Sequence, residues 1–445
     1  MLSAPRKVFV HTFGCQMNDL DSARMVEMLS RHAFARTQHA EDADLILLNT
    51  CSVREKAEQK LLSALGRYRE HKARRGTILA VGGCVAQQEK DRLLKRVPYL
   101  DFVFGPDNLA KLPAMIERAR TERFAETGWM ASEEYVFPRA DPEAARGRAT
   151  AFVTAMKGCD NVCSFCIVPH TRGREVSRAY ADVVAECAEL AGVGVREITL
   201  IGQNVNSYAG GCDFASLLRR VAAVPGVARV RFTTSHPHDL SDALVAAFAD
   251  EPRVMPHFHL PVQSGSDSVL ARMRRDYTLT EYLGRLGKLR AARPGIAVTT
   301  DFIVGFPGES DEDFDASLRL LESARFDNSF SFVYSPRPHT GAARRIGSAP
   351  EWQEIPRDAA VARLERLQNL QRRISSAILA AEVGKTVEVL VEGAADGDEA
   401  RRFGRTPENR VVHLDVDERH APAGALLPVR ITRGHANSLS GVVLR

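Results

Sequence analysis

Residues 151–166 read AFVTAMKGCDNVCSFC: a short apolar run, a glycine, then Cys159, Cys163 and Cys166 in the spacing C-x3-C-x2-C. The run has the β-branched and aromatic character of a strand, and the glycine and polar residues end it, so the cysteines fall in a loop just past the strand. A compact loop can set three thiolates at three corners of a 4Fe-4S cube, because each ligated iron takes one soft anionic sulfur. The fourth iron is then open. It can take the amino and carboxylate groups of S-adenosylmethionine (SAM), placing the sulfonium beside a low-potential cluster that can inject an electron and break a carbon–sulfur bond. A zinc loop is the competing reading. Zinc wants a fourth Cys or His close by, which His170, four residues on, would have to supply.

Downstream, strand signals recur at REITLIG (196–202), VRFTTS (230–235), HFHLPV (257–262), AVTTDFIVGFPG (297–308) and SFSFVYSP (329–336), with amphipathic stretches between them. With the run before Cys159 they make six β/α units. These predict an open partial (β/α)6 barrel whose working residues lie at the C-terminal ends of its strands. A helical pattern from Arg357 to Ala381 spaces Leu364, Leu367, Leu370, Ile374 and Ile378 at three- and four-residue steps and closes this unit. Beyond it, VGKTVEVLVEG, RFGRTPENRVVHLDV and LLPVRITRGHANSLSGVVLR alternate β-branched runs with turn residues, the pattern of a small antiparallel β-barrel.

Upstream, VFVHTFGC (8–15), LILLNTC (45–51) and TILAVGGC (77–84) each end in cysteine. Continuous apolar runs separated by long amphipathic stretches predict an open parallel α/β sheet. Ligands of such sheets bind beyond the carboxyl ends of the strands, so Cys15, Cys51 and Cys84 should converge although more than thirty residues separate each from the next. A lone cysteine would be read as an ordinary buried thiol. That is the reading given to Cys187, inside the helical YADVVAECAELAG, while Cys212 follows two glycines in a loop. A charged, proline-bearing stretch from about Glu117 to Arg148 separates the first unit from the second, and the domains are placed at 6–122, 145–377 and 378–445.

Composition agrees with a multidomain globular protein: 445 residues, 44% of them hydrophobic. The start, MLSAPRKVFVHTFGC, lacks the apolar core of a secretory signal, and no later stretch is long enough to span a membrane. A cytoplasmic protein is expected, in which eight cysteines are reduced and free to bind metal. A formal charge of +4 announces no nucleic acid by itself.

The cluster loop KGCDNVCSFCIVPHTRGREVSR is similar to that of the radical SAM methylthiotransferases, as are FGCQMND, NTCSVREKAEQK, GQNVNSY, SHP, HLPVQSGSD and GRTPENRVVHLD. The resemblance spans nearly the whole chain; His170 departs from it, standing where tyrosine is expected. It implies an auxiliary 4Fe-4S cluster on Cys15, Cys51 and Cys84 besides the one on Cys159, Cys163 and Cys166. It places Phe165 at the loop's aromatic position and SAM contacts at Gln203, Asn204, Ser235, Gln263, Ser264 and the Val304–Gly305 backbone. It likens the last domain to the TRAM RNA-binding module. There, Arg401, Arg402, Phe403, Arg405, Asn409 and Arg410 would meet RNA, where composition alone leaves a solvated charged face equally open.

The implied reaction is methylthiolation of C2 in the isopentenyl-bearing adenosine at position 37, in the anticodon stem-loop of tRNA. C2–H is neither acidic nor open to a nucleophile, so no acid–base catalytic residue is sought. A low-potential donor such as flavodoxin or ferredoxin and a sulfur donor are implied partners; no membrane is. Two relatives share the chemistry, one acting on threonylcarbamoyl-adenosine in tRNA and one on an aspartate of a ribosomal protein, but the residues around Cys15 and Cys51 differ from theirs. A two-cluster electron-transfer protein would need neither the barrel nor its β appendage.

Overall fold

The structure, a computed structural model, describes residues 5–52, 55–395 and 398–444, without the side chains of 55, 56 and 398–400. Val53 and Arg54 of the NTCSVREK phrase lie outside the described residues. The first unit is a six-stranded sheet, built from β1 (Arg6–Phe13), β2 (Phe34–Arg36), β3 (Leu45–Thr50), β4 (Ile78–Gly83), β5 (Phe102–Phe104) and β6 (Phe124–Glu126). Its order is β2-β1-β3-β4-β5-β6, parallel throughout. The run Leu45-Ile46-Leu47-Leu48 is apolar at every position because both faces are covered. Ile46 and Leu48 pack with Leu61, Leu65 and Tyr68, whereas Leu45 and Leu47 pack with Met25, Leu29 and Leu112. The stretch read as a linker is in part structured. Its residues 124–126 form β6, Pro142–Ala145 is a short helix, and Lys157 ion-pairs with Asp107 at 2.6 Å across the gap, its ammonium 4.0 Å from the centre of the Tyr135 ring.

The six expected barrel strands are present: β7 (Thr150–Thr154), then, after the two-residue ladder of β8 (Met156–Lys157) and β9 (Val176–Ser177), β10 (Glu197–Ile201), β11 (Arg229–Phe232), β12 (His257–His259), β13 (Ala297–Val304) and β14 (Asn328–Val333). They pair in parallel as β11-β10-β7 and β12-β13-β14, the halves meeting through a Val230–Val254 bridge. Strands β7 and β14 remain as edges, so the barrel is open on one side. Alternation along the strands sorts the residues. Ile198, Leu200, Val230, Phe232, Phe258, Val298 and Phe302 face the helices and form the main core. Their neighbours Ile201, Arg229, Arg231, His259, Asp301, Phe330 and Phe332 point into the barrel. The closing helix runs Arg357–Ala380, with Leu367, Leu370 and Ile374 in that core.

The last unit is a closed barrel, β15 (Thr386–Ala395), β16 (Asp398–Arg405), β17 (Val411–Leu414), β18 (Leu426–Gly434) and β19 (Leu439–Val443). Four of its pairings are antiparallel and one, β17 with β19, is parallel, which corrects the reading of an antiparallel barrel in that one seam. It caps the N-terminal end of the open barrel. Arg229, 1% exposed, donates to the carbonyls of Arg405 (2.8 Å) and Glu388 (3.1 Å). Arg231 donates to the carbonyls of Thr406 (2.8 Å) and Pro407 (2.7 Å) and pairs with Glu197 at 3.0 Å. Replacing Arg231 by Leu strands a buried carboxylate and two carbonyls, so unfolding should be easier by about 3–5 kcal/mol. A urea midpoint unchanged from wild type would refute this role.

Candidate functional site

The Cys159–Cys166 loop is held from three sides. Gly158 has φ 76°, and a Cβ there would lie 2.0 Å from the Arg174 carbonyl oxygen, so only glycine lets the loop leave β8 against that backbone. The Cys159 N–H donates to the Gly173 carbonyl (3.2 Å), the Ser164 N–H to that of Met273 (2.9 Å), and the Ala342 N–H to that of Ser164 (2.7 Å). Burial pushes the Cys159 thiol up to about 11 and the Cys166 thiol up to about 12, with the neighbouring Cys163 adding to both. Thiolates grouped this closely suit a compensating cation, and the donor set is sulfur throughout, which fits iron–sulfur ligation. Among the described residues no three His, Cys, Asp or Glu side chains stand close enough to hold one metal ion; in a 4Fe-4S cube each thiolate takes a different iron.

Two residues that the sequence reading did not assign face this loop. Arg275, buried, donates to Cys163 Sγ (3.5 Å), to the Pro261 carbonyl (2.9 Å) and to the Tyr277 hydroxyl (3.0 Å). His236 Nε2 stands 4.0 Å from Cys163 Sγ, and burial with the Arg275 charge holds its imidazole neutral, down to about 2. The SHP phrase after β11 was the available signal for His236; nothing local marks Arg275.

The second set converges as the topology requires. Cys15 follows β1 and caps the helix Gln16–Ser30, Cys51 follows β3, and Cys84 opens the helix Cys84–Glu89. Gly14 is needed here, since a Cβ would fall 2.6 Å from the Cys51 Cβ. A hydrogen bond with Cys51, opposed by burial and aided by Arg172, holds the Cys15 thiol down to about 6. Arg172 belongs to the other unit, six residues past Cys166, and ion-pairs with Asp21 at 2.6 Å. Burial opposes its charge, but Asp21, Cys84 and Cys15 more than offset this. Below the thiols, Asn49 Nδ2 donates to the Asn18 carbonyl (2.8 Å) and to Ser22 Oγ (3.0 Å), tying β3 to the helix that Cys15 caps. Met17 and Leu20 of that helix, with Cys15, pack on Ile201 and Phe152 of the barrel. The second triad therefore overlooks the barrel opening.

The residues named for SAM divide. Gln203 accepts from the Gly158 N–H, leaving its Nε2 buried without a partner among the described residues; Asn204 Nδ2 donates to Asp239 (2.8 Å) and its Oδ1 is likewise unmatched. Ser235 donates to the His259 carbonyl, and Gln263, at φ 72°, bridges to β13. Ser264 is 1% exposed, and its hydroxyl accepts from the Ser266 N–H and lies beside Ser317. The Val304 carbonyl and Gly305 N–H are also engaged, with the Tyr334 N–H (2.8 Å) and the Glu309 carboxylate (2.7 Å), and the Val304 side chain is core. Phe165 packs beside Phe306, Tyr334 and Trp352.

Of the RNA candidates, Arg402 is 5% exposed and donates to the Ala421 carbonyl at 3.1 Å, so its guanidinium faces the barrel rather than solvent. Arg405 pairs with Glu392 (2.9 Å), Arg410 with Asp327 (2.8 Å) and Glu382 (3.0 Å), and Arg401 with Asp415 (3.4 Å). Arg402 and Arg405 are engaged within the barrel, Arg410 ties it to the unit before it, and the Arg401 pair is exposed. Phe403 is half-buried in β16, and Asn409 turns the following loop at φ 69°. Cys187 is fully buried in the helix Tyr180–Gly192, pushed up to about 12 by burial, and Cys212 packs at the edge of the same core. Cys187→Ala should leave bound iron unchanged and cost about 1 kcal/mol of stability. Loss of one cluster's iron from that variant would overturn its assignment.

A cysteine loop over the mouth of an open six-stranded barrel defines an enzyme of the radical SAM class. The profile of the Radical SAM superfamily matches residues 153–321, that of the TRAM domain residues 380–444, and that of Uncharacterized protein family UPF0004 residues 7–105. The fold is similar to that of the radical SAM methyltransferase TsrM from Kitasatospora setae, with TM-score 0.56 and 15% identity, covering 77% of this chain and 78% of that one. A tRNA-2-methylthio-N(6)-dimethylallyladenosine synthase of Anaeromyxobacter dehalogenans is 78% identical over 99% of this chain and 94% of its own length. One of Myxococcus xanthus is 65% identical over 98% and 94%. The chain belongs to the tRNA-2-methylthio-N(6)-dimethylallyladenosine synthase family. As a radical SAM enzyme it uses a 4Fe-4S cluster and SAM. Among the described residues no helix is long and apolar enough to cross a membrane.

Proposed function

We propose that this chain installs a methylthio group at C2 of N6-dimethylallyladenosine at position 37 of tRNA, using one cluster on Cys159, Cys163 and Cys166 and a second on Cys15, Cys51 and Cys84. The observation that carries the reading is the placement of two thiol triads, from separate units, around one barrel opening, with Arg172 reaching from the first triad's loop to the second's thiols. When bound, the loop cluster and SAM supply the radical that removes the C2 hydrogen, and the second cluster supplies an iron site for the sulfur to be transferred.

The chain's own residues bind and orient. Arg275 places a fixed positive charge on Cys163, and neutral His236 adds none. The unmatched Gln203 Nε2 and Asn204 Oδ1 offer a donor and an acceptor to the polar groups of SAM. Arg172 offsets the negative charge that gathers where Asp21 meets the second triad. The C-terminal barrel supplies tRNA contact through surface other than Arg402. A flavodoxin or ferredoxin class protein delivers the electron, a separate donor the sulfur, and the cytoplasm is the site of action. Anaerobic incubation with prenylated tRNA, SAM and reductant, then nucleoside digestion and mass spectrometry, tests this. The expected product carries SCH3 in place of the C2 hydrogen; unmodified nucleoside despite SAM turnover would refute the reading.

A further inference from the structure

On the strands of the open barrel, aromatic residues are covered with two exceptions. Phe232, Phe258 and Phe302 are buried in the core, and Phe152 is packed by Met17 and Leu20. Phe330 and Phe332, on the edge strand β14, are 50% and 43% exposed. They alternate with Ser329 and Ser331, and by register Phe330 stands beside Asp301 and Phe332 beside Ile303. Inward orientation is fixed by contacts. The Phe330 ring lies 5.9 Å from that of His259, whose Nε2 is 3.5 Å from Asp301 and whose Nδ1 is 3.0 Å from Thr299 Oγ1, all on the barrel's inner face. At the upper end Ile303 packs in the same cluster as Phe165 of the cysteine loop.

The opening thus has four sides. The cysteine loop forms the roof, and the docked C-terminal barrel, through Arg229 and Arg231, closes the floor. The helix behind Cys15, on Ile201 and Phe152, forms one wall. The opposite wall is β14, and its inner surface is two bare phenyl rings. Leaving two phenylalanines uncovered at a reaction chamber suits a ligand that is flat, apolar at one end and enters from the open edge.

We infer that Phe330 and Phe332 are specificity-determining residues that receive the target adenine and its N6-dimethylallyl group. This rests on the proposed function, which supplies the substrate. A base drawn out of the anticodon loop stacks on an aromatic face whatever its identity, whereas the five-carbon branched chain gains only if apolar surface is waiting for it. The wall therefore does more for the prenylated base than for the plain one.

The test is a ratio of affinities, measured anaerobically without reductant, for an anticodon stem-loop with and without the N6-dimethylallyl group. Wild type is expected to prefer the prenylated form. In Phe330→Ala/Phe332→Ala the preference should fall by roughly tenfold or more, the scale of discrimination an apolar pocket provides, and Phe330→Leu/Phe332→Leu should recover part of it. A folding defect lowers both affinities together and leaves the ratio alone, so a preserved ratio in the alanine variant overturns the inference. Because no turnover is needed, the wall is tested separately from the function. A wild type that shows the preference but forms no methylthio product would refute the proposed reaction and leave the wall standing.

Discussion

Cys163→Ala is expected to make no 5′-deoxyadenosine from SAM while keeping about four irons per chain, one cluster's worth. Cys163 is the middle cysteine of the loop and the one that Arg275 and His236 face, so on the proposed ligation its loss removes a corner and the charge partner of a buried guanidinium at once. The second triad should survive, because its thiols sit on β1, β3 and β4 ends fixed by the Asn18–Asn49 network rather than by the loop. Iron counting and chromatography of the SAM products check both halves. Continued 5′-deoxyadenosine formation would contradict the assignment of the loop, and complete loss of iron would contradict the independence of the two sites.

Cys84→Ala should give the complementary phenotype: SAM cleavage continues, about four irons remain, and methylthiolated tRNA falls below detection. Cys84 opens its helix directly after Gly83, which stands at φ 92° where a Cβ would fall 2.4 Å from Asn49 Oδ1, so a glycine-only backbone sets where the Cys84 thiol emerges. The substitution removes one sulfur from a buried site and leaves Arg172 paired with Asp21, so the domain contact persists. Methylthio product from this variant at the wild-type rate would show that sulfur is not held at the second triad.

Much of this arrangement was legible in the residues. Strands leading to Cys15, Cys51 and Cys84 announce themselves by apolar runs such as Leu45–Leu48, which are continuous because both sheet faces are covered. The six barrel strands and the Arg357–Ala380 helix carry enough periodic residues to be read. Strands β2, β5 and β6 span three residues each, too few for any period, and β6 was lost inside the supposed linker. What the residues did not announce concerns charge. Arg402, Arg229 and Arg231 look like surface cations in sequence, yet their planar forks are buried on backbone carbonyls that lie, for the last two, more than 150 residues away. Arg172 and Asp21 meet across 151 positions, and His259, Asp301 and Phe330 form one row across three strands. Such contacts follow from register and docking, which no local pattern encodes.

The most direct measurement is the iron and acid-labile sulfide content of anaerobically reconstituted wild-type protein, with Mössbauer spectra of the bound iron. Two thiol triads predict about eight irons and eight sulfides per chain, all in the 4Fe-4S form. About four of each, or iron in mononuclear sites, would contradict the account of two clusters facing one chamber.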